Sequence, residues 1–165
     1  MNWKRILSIY LAFWLGLFLG GIIDYFLGFN KPGIPRKLSI PDYSLFINVI
    51  EINLTFAIII FIAQYAIIQR IIILFISTFL GEVAFKSGII LGLVGILPHG
   101  LIETLGLSFI AYAGQNYKEN THFIKPLILG IILIFIAAFI ESSITLYILQ
   151  EIYKEFYGEI LSPFS

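Results

Sequence analysis

Residues 126–150 read PLILGIILIFIAAFIESSITLYILQ, an apolar run whose only charged side chain is Glu141. A helix that crosses the hydrocarbon core of a bilayer needs about 20 predominantly apolar residues. This run is long enough for one crossing, and Pro126 stands where the first turn of a helix tolerates proline. The stretch therefore predicts a membrane-spanning helix.

The composition of the whole chain supports the same class. Hydrophobic residues make up 59% of the 165 positions, charged residues make up 12%, and the mean hydropathy is +0.99. A soluble domain carries about 25% charged residues, because its surface faces water. Half that fraction is too little to cover a soluble globule, so the surface must face lipid.

Charge and cysteine content exclude several functions. Ten basic residues balance ten acidic ones, and no long basic run occurs, so nucleic-acid binding has no electrostatic basis. The chain has no cysteine, which excludes disulfides, thiolate metal ligands and thiol nucleophiles.

Similar apolar segments recur along the chain and predict one all-α domain over residues 1–165, a polytopic transmembrane bundle of about five spans. A polar, proline-containing loop follows the first span, and an interfacial tail follows the last. The predicted spans are residues 6–29, 45–68, 71–85, 88–113 and 126–150, and the predicted tail is 151–165.

Two features of this bundle are expected to be irregular. Gln69-Arg70 interrupts the apolar pattern, so we predict that the second span ends there and that the third is short. Pro98 lies near the centre of the fourth span, where it removes a backbone donor, so we predict a kink or a break in that helix. The basic residues divide evenly between the two sides, so the positive-inside rule does not assign a direction of insertion.

The fourth and fifth spans place ionisable side chains near mid-membrane. His99 and Glu103 are four residues apart and share a helix face, and Glu141 lies at a similar depth. A charge at that depth costs about 2.5–3.5 kcal/mol, so these groups must be protonated, paired or bound to a cation. We predict an intramembrane polar site, also including Pro98, Gly100 and Asn53. His99, Glu103 and Glu141 are its candidate metal ligands, for example for a divalent cation, and the alternative is a neutral hydrogen-bonded cluster.

Three further acidic residues, Asp24, Glu51 and Glu82, fall toward one side of the membrane, that of the first loop. They lie nearer the interface, where water reaches them, and we expect solvated or capping roles for them.

The stretch LGLVGILPHGLIETLGLSFIAYAG, residues 91–114, resembles the signature helix of the stage II sporulation protein M family. The family pattern L-P-H-G-x-x-E corresponds here to residues 97–103, and the surroundings of Asn53 and Glu141 are also similar to it. The chain departs from that family in its short first loop and in lacking Asn-Gly ahead of the signature helix. The resemblance implies a five-span membrane protein that works with partner proteins.

Three functions follow from these observations. The first is a non-enzymatic scaffold in the cell membrane that localises partner proteins. Its expected partners are the lipid bilayer that surrounds it and either other membrane proteins or further copies of the chain. The second is a small transporter or channel that passes a cation or proton by way of His99, Glu103 and Glu141. The third, a zinc-dependent hydrolase, has the weakest support, because the H-E-x-x-H motif is absent.

Overall fold

A computed structural model describes residues 1–27, 40–85 and 89–152, and all regular structure in these ranges is helical. Each of five helices is long and apolar enough to cross a membrane, so the chain is a multi-pass membrane protein. The predicted tail lies almost entirely outside the described residues. The helices are α1 (Trp3–Leu27), α2 (Tyr43–Ala63), α3 (Ala66–Phe85), α4 (Ile89–Lys118) and α5 (Ile124–Ile140), and a π-helical turn (Glu141–Thr145) extends α5 toward Ile152.

The boundary between the second and third spans lies five residues earlier than the sequence predicts. α2 ends at Ala63, and Gln64 turns the chain with a φ of 55°. Gln69 and Arg70 therefore lie inside α3, which becomes a full span. The prediction was wrong because it took polar side chains as a sign of a loop, whereas Gln69 is fully buried and hydrogen-bonded within the bundle.

α4 continues without interruption through Pro98. Of the two predicted alternatives, the break is therefore excluded. A proline removes one hydrogen bond of the helix ladder, and neighbouring helices tolerate that loss inside a membrane bundle.

α1 and α3 run parallel and form the closest helix pair in the bundle. Gly20 of α1 lies against the backbone of Thr78, and Gly81 of α3 lies against the backbone of Leu17. Lipid offers no hydrophobic reason for helices to associate, so small residues that allow close van der Waals contact determine where they pack. The glycine spacing in the first span predicts this packed face.

α4 and α5 form the second close pair, and they are antiparallel. A Cβ added to Gly106 would lie 2.9 Å from the Gly130 carbonyl, and one added to Gly130 would lie 2.7 Å from the Gly106 carbonyl. This contact sets the register that brings His99 level with the π-helical turn.

Polar contacts gather the amino terminus, the α2–α3 turn and the α4–α5 loop at one end of the bundle. Arg5 Nη1 donates to Glu119 Oε1 at 2.7 Å, and Arg70 Nη2 donates to Ser8 Oγ at 3.1 Å. An alternating five-span topology requires this grouping. We call this the amino-terminal end and the opposite one the first-loop end.

Candidate functional site

The three ionisable residues predicted at mid-membrane converge in the structure. His99, Glu103 and Glu141 each offer a ligand atom, and these atoms lie within 4.8 Å of one another. His99 Nε2 is 3.6 Å from Glu141 Oε2. Glu103 follows His99 by one turn of α4, while Glu141 comes from the end of α5, so the α4–α5 register assembles the group.

The irregular part of α5 supplies the other side of this site. Glu141 opens the π-helical turn and Thr145 closes it. Single π-helical turns inside α-helices are rare and occur frequently at functional sites. Within this turn, the Ser142 carbonyl accepts the backbone N–H of Asp42, the N-cap of α2, at 3.1 Å.

Thr145 belongs to the site although it is not among the predicted site residues. Its Oγ1 lies 3.2 Å from His99 Nδ1. A hydrogen bond at one ring nitrogen of a histidine determines which nitrogen carries the proton and which one is left to bind a ligand. Thr145 therefore orients the His99 ring so that Nε2 is presented to Glu141. The spacing of four residues between Glu141 and Thr145 is the sequence signal for this pairing.

Asn53 of α2 lies near Glu103. Its side chain is 6% exposed, and its Nδ2 has no hydrogen-bond partner among the described residues. An unsatisfied buried amide is costly, and the oxygen and nitrogen of an amide exchange places by rotation about the terminal bond. In the rotated form, Asn53 would offer an oxygen to a cation next to Glu103.

The remaining predicted site residues, Pro98 and Gly100, support the site indirectly. Pro98 is half-buried in α4 directly before His99. Gly100 is buried, and its carbonyl accepts the Thr104 hydroxyl. Neither residue contributes a side-chain ligand.

An open cleft of about 340 Å³ leads to the three ionisable residues. Its walls come from the last turns of α3, the first turns of α4 and the end of the α5 extension, which lie in the first-loop half of the bundle, and from Phe13 and Leu17 in the middle of α1. Most of the lining is apolar, and His99, Glu103 and Glu141 form its polar part. On its other side, Glu103 borders only a small void of about 10 Å³ among apolar side chains.

The geometry suits a proton or a cation that draws the ligands inward. Two ligands about 2.1 Å from a tetrahedral zinc ion lie about 3.4 Å apart. The separations of up to 4.8 Å are wider than this, so a small metal requires Glu141 or Glu103 to move inward. The donor set of one imidazole and two carboxylates otherwise fits a divalent metal.

The accessory acidic residues take separate positions, and none joins the group of three. Glu51 is exposed and Glu82 is half-buried. Asp24 is only 1% exposed, and its Oδ1 has no hydrogen-bond partner among the described residues. The predicted solvated role is therefore wrong for Asp24, because the close α1–α3 packing buries the face of α1 that carries it.

A second polar layer lies nearer the amino-terminal end. Gln115 Nε2 donates to Gln69 Oε1 at 2.7 Å, and Gln69 Nε2 donates to the Ile60 and Ala111 carbonyls, both at 2.9 Å. These bonds join α2, α3 and α4. This layer is not among the predicted sites, although a glutamine within an apolar segment is the sequence signal for it.

Comparison with known proteins finds no matching family model, no matching curated protein and no matching solved structure.

Proposed function

We propose that this chain is a non-enzymatic scaffold of the cell membrane whose interior site, His99 with Glu103 and Glu141, binds a cation. The observation that carries the proposal is that, within the part of the chain that the structure describes, the cleft reaches the site from one half of the bundle. The cleft reaches it from the first-loop half, and apolar side chains close it toward the amino-terminal end. A one-sided site suits binding better than conduction.

The closure follows from the helix faces. Glu103 and Gln115 lie about 18 Å apart along α4, at 1.5 Å per residue. Leu107 and Ala111 stand between them on the same face, and both are at least 95% buried, with exposures of 5% and 0%. Ile60 belongs to the same core cluster. Two buried hydroxyls, those of Thr104 and Ser108, also lie between the two polar layers. Each donates to a carbonyl one turn earlier in α4, and neither is hydrogen-bonded to Glu103 or to Gln115 among the described residues.

A cation at this site would hold three helices together. His99 and Glu103 belong to α4, Glu141 to the π-helical turn of α5, and Asn53 to α2. Binding stabilises the arrangement in which these helices are close, because a ligand that binds one state shifts the population toward it. A scaffold regulated in this way would present its partner surface only when the site is filled.

The family resemblance is part of the same proposal. We place the chain with the stage II sporulation protein M family on its L-P-H-G-x-x-E helix. The residues of that motif with ionisable side chains, His99 and Glu103, are two of the three that converge. The proposed role, localisation of partner proteins without catalysis, follows the role implied by that family, and no sporulation role is assigned.

Cation binding is tested by elemental analysis and by calorimetric titration of detergent-purified protein with divalent metals. We expect one metal per chain in the wild type and none in Glu103→Gln. Glu51→Gln is the matched control, since Glu51 is an exposed carboxylate on α2 outside the cleft. Equal metal content in the wild type and in Glu103→Gln would refute the metal site.

Cation or proton translocation is the second candidate, and one observation favours it. A transporter that works by alternating access opens its binding site to one side of the membrane at a time. Buried carboxylates that a cleft reaches from one side match one of these two states. Proteoliposomes with an internal pH-sensitive or cation-sensitive dye test it. Flux that Glu103→Gln abolishes and Glu51→Gln retains would replace the scaffold proposal, whereas absence of flux across common monovalent and divalent cations would eliminate translocation.

A further inference from the structure

A second groove is separate from the interior site and lies at the opposite end of the bundle. It has a volume of about 880 Å³ and runs between the start of α1, the end of α4 and the start of α5. We call it the amino-terminal groove. The residues that matter for its chemistry are Arg5, Glu119, Lys125, Ile128, Leu129 and Ile132.

One face of α5 gives this groove a cationic end and an apolar end. Lys125, Ile128, Leu129 and Ile132 follow the spacing that places residues on one side of a helix. Ile128, Leu129 and Ile132 are 52%, 39% and 49% exposed, so the apolar stripe has no covering partner among the described residues. Ile132 lies about 10 Å deeper than Lys125 along the helix, at 1.5 Å per residue.

The charges at the cationic end do not cancel. Arg5 pairs with Glu119 at 2.7 Å, whereas Lys125 has no ion-pair partner among the described residues. The Arg, Lys and Glu side chains that line the groove, Arg5, Lys125 and Glu119, carry one net positive charge. Both cations stand at the ends of apolar spans, at the depth where lipid phosphates lie.

We infer that the amino-terminal groove binds an anionic phospholipid. The phosphate and any further headgroup charge would lie at Lys125 and Arg5, and an acyl chain would lie along Ile128, Leu129 and Ile132. Basic pockets between membrane helices bind anionic headgroups in this way. The continuous change from a cationic end to an aliphatic stripe matches a lipid, because a soluble anion would use only the first part.

Native mass spectrometry of the full chain tests the inference. The protein is equilibrated in mixed micelles with phosphatidylglycerol or phosphatidylcholine, and the lipid-bound fraction is measured. We expect preferential retention of phosphatidylglycerol, and a loss of about fivefold in its affinity for Lys125→Gln, which corresponds to about 1 kcal/mol per interfacial cation. Equal retention of both lipids by the wild type would overturn the inference.

Lys118→Gln is the matched control. Lys118 lies at the same end of the bundle but outside the groove, with its Nζ 3.2 Å from the centre of the Tyr65 ring. We expect it to leave phosphatidylglycerol binding unchanged. An equal loss in Lys118→Gln and Lys125→Gln would indicate general attraction to the basic end and would contradict a defined site.

Two further variants examine the two parts of the groove. Glu119→Gln removes the only acidic side chain that lines it, so it should raise phosphatidylglycerol affinity. Leu129→Asn keeps every charge but interrupts the apolar stripe, so it should lower that affinity. Unchanged binding in both variants would overturn the inference, as would dimers that form through these residues and exclude lipid.

Discussion

Replacing Gly20 with alanine is expected to separate α1 from α3. An added Cβ at Gly20 would lie 1.9 Å from the Thr78 carbonyl oxygen and 2.7 Å from the Glu82 backbone nitrogen. Both neighbours are backbone atoms, so no side-chain rotation relieves the contact. To reach 3.0 Å, the shortest distance that real Cβ atoms show, the two helices must move apart by about 1.1 Å.

The cost of that separation is set by the packing it disrupts. Inserting one methyl group into a well-packed core costs about 1–3 kcal/mol, and an unyielding backbone contact places Gly20→Ala in the upper part of this range. The loss includes van der Waals contact along the whole α1–α3 pair, which is what holds membrane helices together.

Gly95→Ala is the matched control for this prediction. Its added Cβ would meet only Leu149 side-chain atoms, at 3.8 Å and 3.9 Å, which is ordinary contact. Alanine is favoured over glycine within a helix by about 0.5–1 kcal/mol, so this variant should be as stable as the wild type or slightly more stable.

Unfolding in a mild detergent titrated with sodium dodecyl sulfate, followed by circular dichroism, measures the difference. We expect Gly20→Ala to unfold at a clearly lower mole fraction of dodecyl sulfate than Gly95→Ala. If the two variants unfold together, the close α1–α3 contact does not contribute to stability and the packing argument is refuted.

Two further predictions concern polar contacts and use the same unfolding assay. Gln69→Leu removes the two hydrogen bonds that Gln69 donates and leaves the Gln115 amide without its acceptor, so the free energy of unfolding should fall by about 1–3 kcal/mol. Gln115→Leu removes only the bond to Gln69 and should cost less. The reverse order of stabilities would contradict the assigned network. Glu119→Gln breaks the ion pair between Arg5 and Glu119, whose side chains are 38% and 47% exposed. The free energy of unfolding should therefore change by less than about 1 kcal/mol. A larger loss would mean that this contact anchors the end of the bundle.

The three ionisable residues of the candidate site were predictable from the sequence, but the geometry of the site was not. His99 and Glu103 are four residues apart in one helix, so helical periodicity alone makes them neighbours. Glu141 was placed with them by depth, because few other charges lie near mid-membrane. Thr145 was not among the predicted site residues, since its role depends on a π-helical turn that apolar periodicity does not reveal.

Gln69 was assigned to a loop, whereas the structure places it inside α3. A glutamine beside an arginine suggests a loop when local polarity is considered alone. In the folded chain Gln69 satisfies carbonyls of α2 and α4, so it lies within α3. Hydrogen bonds between residues 42 positions apart, such as that from Gln69 to Ala111, leave no mark in the local sequence.

The amino-acid sequence is enough to predict a helical membrane bundle of about five spans with a few polar side chains at its centre. This prediction is possible because the free energy of transferring a side chain from water to lipid depends mainly on that residue, and these free energies add up along a segment. The tertiary structure sets which helices pair, where α2 ends, and that the described cleft reaches the His99 group from the first-loop half. These features depend on the fit between surfaces distant in the chain, where one methyl group at Gly20 or one carbonyl beside Gln69 determines the outcome.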